Sequence, residues 1–413
     1  MKFELVIDSK PTEVVIALLK EGRLIELHKE KHDNNYSVGD IYLGKIKKIV
    51  PGLNAAFVGV GHEKDGFLHY LDLGSQLNSF KKFTDKTRTK KLNTASLKNF
   101  RKEKDTLKEG KIQDVVKSGD HLMLQVSKEP ISSKGPRLSA ELSFAGRYMV
   151  MIPFSDRVSI SQKIKSSEEK SRLKKLIHSI KPKGFGVIIR TVAEGKKVAE
   201  LDTDMKNLYK KWQIIFKKLK TANLNERIHG EMNRSSVILR DLLNSGFSKI
   251  HVNSPEIHAE LKEYLSRISP DQEKIVKLYK GEVPIFQKMN ITQQVKSSFG
   301  KTASMKSGAY LVIEHTEALH VIDVNSGKKV DSKKNQEANA LAVNKISVEE
   351  VARQLRLRDM GGIIVVDFID LQNAKNRKII YDSMIEAMKT DKAKHHILPL
   401  SKFGLMQITR QRV

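Results

Sequence analysis

The fold is decided by two runs, Leu319-His320-Val321-Ile322-Asp323-Val324-Asn325 and Gly361-Gly362-Ile363-Ile364-Val365-Val366-Asp367-Phe368-Ile369-Asp370. Each is an apolar, β-branched segment that reads as a strand and carries an aspartate at its end. Between them the sequence predicts a helix from about Asn335 to Arg358, with Leu341, Val348, Val351 and Leu355 on one face. Strand, helix, strand implies an α/β sheet whose two strands run parallel and adjacent. Asp323 and Asp367 then fall side by side at the carboxyl edge of the sheet, where ligand sites gather. A buried carboxylate there is costly unless it is paired or holds a metal. The plainer use of such an aspartate is to cap a helix or brace a loop. Two carboxylates with the Asn325 amide nearby form a hard oxygen site that suits Mg²⁺. Magnesium so placed would position and acidify a water beside a phosphodiester.

Around this unit the pattern changes several times. Ala309 to Glu314 is the expected partner strand of Leu319 to Val324, and a last helix is expected over about Arg377 to Thr390. Residues 1–30 alternate as three short strands with a turn at Glu21-Gly22. From Gly39 short strands punctuated by glycine suggest a small barrel holding Phe57 and Phe67, with Lys45, Lys47 and Lys48 close by. Exposed, these rings would stack on bases; buried, they would be barrel core. Residues 75–117 are polar and lysine-heavy and read as a long basic loop. Strand texture returns at His121 to Val126 and at Tyr148 to Ile152. A helix from Ser167 to Ser179 leads to the strand Gly186 to Thr191, where Arg190-Thr191 could grip a phosphate. In the helix near 203–220, Leu208, Trp212, Ile215 and Leu219 form a core stripe. Helix, strand and helix follow between residues 235 and 298.

Composition narrows the function. Lys plus Arg number 75 against 48 acidic residues, a net charge of +27 in 413 residues. That excess points to a polyanion, nucleic acid ahead of a membrane surface. The absence of cysteine excludes disulfide scaffolds, Cys-ligated zinc and a thiol nucleophile. No apolar run reaches the ~18 residues of a membrane span, and the first residues read as a strand rather than a signal peptide. No Gly-Lys-Ser/Thr phosphate loop or G-x-S-x-G elbow is present. His28 and His32, four apart in a polar stretch, read as surface residues. The chain stops at Arg410-Gln411-Arg412-Val413 within a strand-like run, so it is expected to be part of a longer protein.

Several strings together resemble the RNase E/G family of bacterial endoribonucleases. They are Gly39 to Gly44, Pro51 to Val58, Gly184 to Thr191, Thr316-Glu317-Ala318 into Ile322 to Gly327, Ala352 to Asp370, and Leu398 to Arg412. The resemblance covers nearly the whole chain except 75–117. It implies an α/β (α+β) multidomain protein: an RNase H-like subdomain (1–37 and 236–298), an inserted OB-fold barrel with S1 motif (38–147), a 5′-sensor region (148–235) and a DNase I-like catalytic subdomain (299–413). By the same resemblance Asp323 and Asp367 are metal-binding catalytic residues with Asn325 beside them. Phe57, Phe67 and Lys134 clamp single-stranded RNA. Arg190 and Thr191, with Val150 through its backbone, read a 5′-monophosphate. The implied activity is Mg²⁺-dependent cleavage of single-stranded RNA to 5′-phosphate and 3′-hydroxyl ends, in rRNA processing and mRNA decay, in the cytoplasm. RNA is the implied partner, with a homodimer among the expected assemblies. The family's Cys-Pro-x-Cys zinc link is absent, so zinc is not expected. A non-catalytic single-stranded RNA-binding protein is the alternative reading, separated from the first by the aspartate pair.

Overall fold

Strands Phe3–Ser9, Glu13–Lys20 and Arg23–Lys31 form an antiparallel meander. The turn between the last two places Glu21 and Gly22 at φ +51° and +77°, the mirror-image turn that matches strand twist. Phe247–Val252 joins the meander in parallel beside Phe3–Ser9, and Val276–Leu278 adds the edge. Distant parts of the chain thus share one sheet. In this computed structural model residues 1–32 with 243–413 form one compact unit and 33–242 another. All residues are described except 1, 32–34, 132–133, 232–233, 243–246, 306–307, 328–334 and 413.

The 33–242 unit holds a closed five-stranded barrel, consistent with an OB-like fold. Its strands are Ile41–Val50, Ala55–Gly59, Gly66–His69, Arg137–Ser139 and His121–Lys128. Ile41–Val50 closes the barrel because it pairs with His121–Lys128 over its first half and with Ala55–Gly59 over its second. Gly44 sits at that crossing, where a Cβ would lie 2.8 Å from Val58 and 3.0 Å from Leu124. A second sheet, Val158–Ile160, Phe185–Ile189, Met149–Pro153 and Phe144–Ala145, shares a core with helices Ser167–Ile180 and Val198–Leu219. Arg227–His229 pairs back onto the barrel.

The basic segment 75–117 departs from the expected loop. Leu77–Arg88 is a helix that buries Leu77, Phe80 and Phe83, a spacing of three masked in the sequence by the intervening lysines. Phe83 lies 4.9 Å from Trp212, and the Trp212 indole N–H donates to Ala95 O at 2.8 Å. The segment is therefore part of the core. Its Lys81 is paired with Asp120, and Lys82 with Glu103.

In the other unit, a six-stranded sheet runs Thr302–Ser304, Tyr310–His315, Leu319–Asn325, Gly362–Asp367, Leu405–Arg410, His395–Ile397. Ile322, Val324, Ile364, Val366, Met406 and Ile408 turn to one face, where helices Gln336–Leu357 and Ala374–Met388 cover them. The predicted strand–helix–strand crossover is present, and its two strands are parallel neighbours. No helix is long and apolar enough to cross a membrane among the described residues.

Candidate active site

Side chains alternate along a strand, so residues flanking the buried Ile322, Val324 and Val366 project from the uncovered face. Asp323 and Asp367 are paired in register there, between Val312 on one side and Leu405 on the other. The pairing is as the sequence implies; the burial is not, because both carboxylates are exposed. Among the described residues helices cover only one face of this sheet, and both aspartates are exposed on the other. Asn325, two residues on, projects from the same face, and its Nδ2 donates to Asp323 Oδ2 at 2.7 Å. That bond fixes the carboxylate's orientation. The Asp367 carboxyl is pushed above its ordinary value, first by loss of water at the strand end, then by the negative charges of Asp323 and Asp370.

Two features of this site were not visible in the sequence. The buried Asn344 of the crossover helix clamps the loop after Asp367: its Nδ2 donates to Ile369 O at 2.7 Å, and its Oδ1 accepts from Ile369 N–H at 3.0 Å. A lone Asn inside a helix gives no signal of a partner 25 residues away. The loop also borders an open depression of about 550 Å³, lined by Asp367, Asp370, Leu371, Gln372, Arg377, Lys402 and Phe403.

The donor set fits a magnesium ion. Among the described residues no group of three or more His, Cys, Asp or Glu could hold a metal. A pair of carboxylates suits an ion that keeps most of its waters, as Mg²⁺ does, better than one that demands an all-protein cage. The mutual repulsion at Asp367 is the charge such a cation would offset.

In the 33–242 unit the other predicted residues fall in two places. Phe57 and Phe67 are directly opposite on adjacent strands, with ring centroids 6.0 Å apart and edge to face. Both are half-buried on the barrel wall, while Val58 and Leu68 fill the core. Lys134 is exposed in the loop that leads to Arg137, and its backbone N–H and C=O bond those of Ile131. The same loop reaches Phe67, whose N–H donates to Pro136 O at 2.8 Å. On the second sheet Val150 is opposite Ile188, and Arg190 follows on the same outward face. Arg190 Nη1 donates to Gly146 O at 2.8 Å, and Thr191 Oγ1 lies 3.0 Å from Ser161 Oγ. Asp204, also unforeseen, accepts the N–H groups of Arg147 and Tyr148 and so holds this strand entrance. His28 bonds Glu26 at 3.2 Å; His32 lies outside the described residues.

Residues 143–413 match the model of the ribonuclease E/G family. The chain is 32% identical to ribonuclease G of Haemophilus influenzae over 409 residues, covering 99% of this chain and 79% of that protein. It is 32% identical to ribonuclease G of Escherichia coli over 412 residues, covering 100% of this chain and 80% of that one. Ribonuclease E of H. influenzae is 33% identical over 417 residues, which span 100% of this chain and 42% of that protein.

Proposed function

Because the chain belongs to the ribonuclease E/G family, we propose that this endoribonuclease cleaves single-stranded RNA at Asp323 and Asp367 with Mg²⁺ as cofactor. The observation that carries this reading is the in-register aspartate pair, with its Asn325 brace, on an open sheet face. An exposed face admits a polymer, and a pure RNA binder gains nothing from carboxylates that repel phosphate. Asp323 and Asp367 would hold the metal. When bound, it supplies an acidified water and charge stabilisation at the phosphoryl group. Asn325 keeps the Asp323 carboxylate oriented, and Asn344 keeps the Asp367–Asp370 loop in place. In-line attack on the scissile phosphate leaves a 5′-phosphate and a 3′-hydroxyl.

The half-exposed Phe57 and Phe67, with Lys134, supply sequence-tolerant affinity for unpaired bases. Arg190 and Thr191, beside Val150, bind a terminal 5′-monophosphate, a compact dianion that a guanidinium and a hydroxyl can surround. In subdomain terms, residues 1–37 and 236–298 are RNase H-like, 38–147 the OB-fold, 148–235 the sensor and 299–413 DNase I-like. The substrates are rRNA precursors and mRNA in the cytoplasm, and a homodimer is the proposed assembly. Asp323→Asn and Asp367→Asn test the central claim. Each should lower Mg²⁺-dependent cleavage by orders of magnitude while RNA affinity holds or rises. Wild-type cleavage by either variant rejects the site.

A further inference from the structure

Phe403 is the most exposed of the large apolar side chains among the described residues, at 81%. Its exposure is not that of a slack loop. Ser401 Oγ accepts the N–H groups of Phe403 and Leu405, at 3.2 and 3.1 Å, and Ser401 N–H donates to Leu405 O at 2.9 Å. Gly404 follows at φ +77°, and its N–H donates to Ser401 O at 3.3 Å. A Cβ on Gly404 would lie 2.5 Å from Phe368 O and 3.1 Å from Asp370 Oδ1, so the turn is pressed against the loop that carries the acids. Phe368 N–H donates to Gly404 O at 3.0 Å and ties the two loops together. The fold thus fixes the backbone from which an exposed phenyl ring projects, at the depression that Asp367 and Asp370 also line.

Two cations, Lys402 and Arg377, share that lining with Asp367, Asp370, Leu371 and Gln372. Lys402 is exposed and makes no ion pair among the described residues. Arg377 braces the opposite wall by donating to Leu371 O at 2.6 Å and Gln372 O at 2.9 Å, and it still lines the depression. A flat ring flanked by cations beside two acids is a poor docking face for protein and a good seat for one nucleotide. The ring takes a base, and the cations take its phosphate.

Resting on the active-site reading above, we propose that Phe403 is a stacking platform for the unpaired base next to the scissile phosphate, with Lys402 and Arg377 holding that nucleotide's backbone. A base can lie on the ring only when it has left a duplex stack. Selection for single-stranded RNA is therefore made at the cut itself as well as on the barrel wall. No chemistry is assigned to Phe403; it positions.

The test uses the whole chain and short 5′-monophosphorylated RNA spanning one cleavage position. Affinity is measured in an Asp323→Asn background, and kcat and KM in the active protein. Phe403→Ala should weaken binding roughly 5- to 150-fold, the range for losing one base stack. Phe403→Trp should preserve binding, and Phe403→Leu should fall between. Melting temperature should not move, because the ring is exposed. RNA made abasic one position at a time supplies the decisive comparison, since it can be run on unaltered protein. At one position beside the cut, base removal should cost wild type the same factor and cost Phe403→Ala nothing further. Wild-type binding and cleavage by Phe403→Ala overturns the proposal. So does a loss that stays additive with abasic substitution at every position. If Asp323→Asn and Asp367→Asn are silent while Phe403→Ala is unaffected, only this inference fails. If the aspartate variants cleave normally, the active-site reading fails and takes this subsite with it.

Discussion

Asn344 tests whether the geometry around Asp367 is held by the crossover helix. The side chain is fully buried and makes both backbone hydrogen bonds of Ile369, two residues past Asp367 and one before Asp370. Asn344→Leu keeps similar volume but leaves a backbone N–H and a C=O without partners. Each unsatisfied group costs about 1–3 kcal/mol, so the pair costs roughly 2–6 kcal/mol. In a unit of about 200 residues each kcal/mol moves the melting temperature by about 2–4 °C. A fall of roughly 4–24 °C in calorimetry follows. The kinetic effect should be separate. Loosening the 368–371 loop displaces Asp367, and a displacement of about 1 Å can lower the rate on the order of 10²-fold. RNA affinity should fall by no more than the loss of the proposed Phe403 stack, because the proposed contacts on the barrel wall are untouched. The assay is kcat and KM on single-stranded RNA beside a thermal melt of the same preparation. A variant with wild-type melting temperature and wild-type kcat would refute the reasoning, because the clamp would then hold nothing that matters.

Phe57→Ala should weaken single-stranded RNA binding by roughly 1–3 kcal/mol with little change in melting temperature, since the ring is half-exposed. A large loss of stability with unchanged intrinsic affinity would return Phe57 to the core. Arg190→Gln should abolish the preference for 5′-monophosphorylated over 5′-hydroxyl RNA and leave cleavage of the latter nearly unchanged; equal loss on both substrates would make Arg190 a structural residue. For Asp367, whose carboxyl is raised above its ordinary value of 3.8, the sign is fixed by linkage. The folded state binds this proton more tightly than the unfolded chain. The site's contribution is therefore favourable below pH 3.8 and is lost as pH rises through the raised value. Asp367→Asn should accordingly be more stable than wild type at neutral pH while inactive, and the difference should shrink in acid. An Asp367→Asn protein less stable than wild type at pH 7 would contradict the repulsion inferred from Asp323 and Asp370.

The local signals legible in the sequence were those with short periods. The apolar runs 321–324 and 363–366 and the helix between them, with its face of Val348, Val351 and Leu355, predicted the parallel pair that aligns Asp323 with Asp367. What failed to read was long-range. The helix Leu77–Arg88 hides three buried apolar residues among lysines, and only packing against Trp212 shows why they are there. Its lysines carry the charge that made the segment look like a loop. Exposure of the acids was also illegible. A strand pattern gives two faces, but which face the helices leave open depends on how both of them pack. Asn344, Asp204 and the Ser401–Gly404 turn act through backbone partners, which leave no residue pattern at the other end.

That open face has a mechanistic consequence. Carboxylates in water interact weakly with any charge because the surrounding dielectric is high. Asp323 and Asp367 on their own are therefore a weak electrostatic site: Asp367 has lost part of its water at the strand end, but both side chains remain exposed, and the field they exert on a phosphate is largely screened. The field strengthens only when water leaves, and among the described residues no helix covers this face of the sheet. On the site proposed above, an RNA strand laid across it would be the cover. Groups that press the strand down near the acids thereby raise the chemical rate as well as the affinity. The place of Phe403 at the depression lined by Asp367 fits this demand, since a base stacked there would exclude water from the same depression. By this reasoning the loss in Phe403→Ala should show in kcat as well as KM. A change confined to KM would mean that the ring only binds and that the acids work in water.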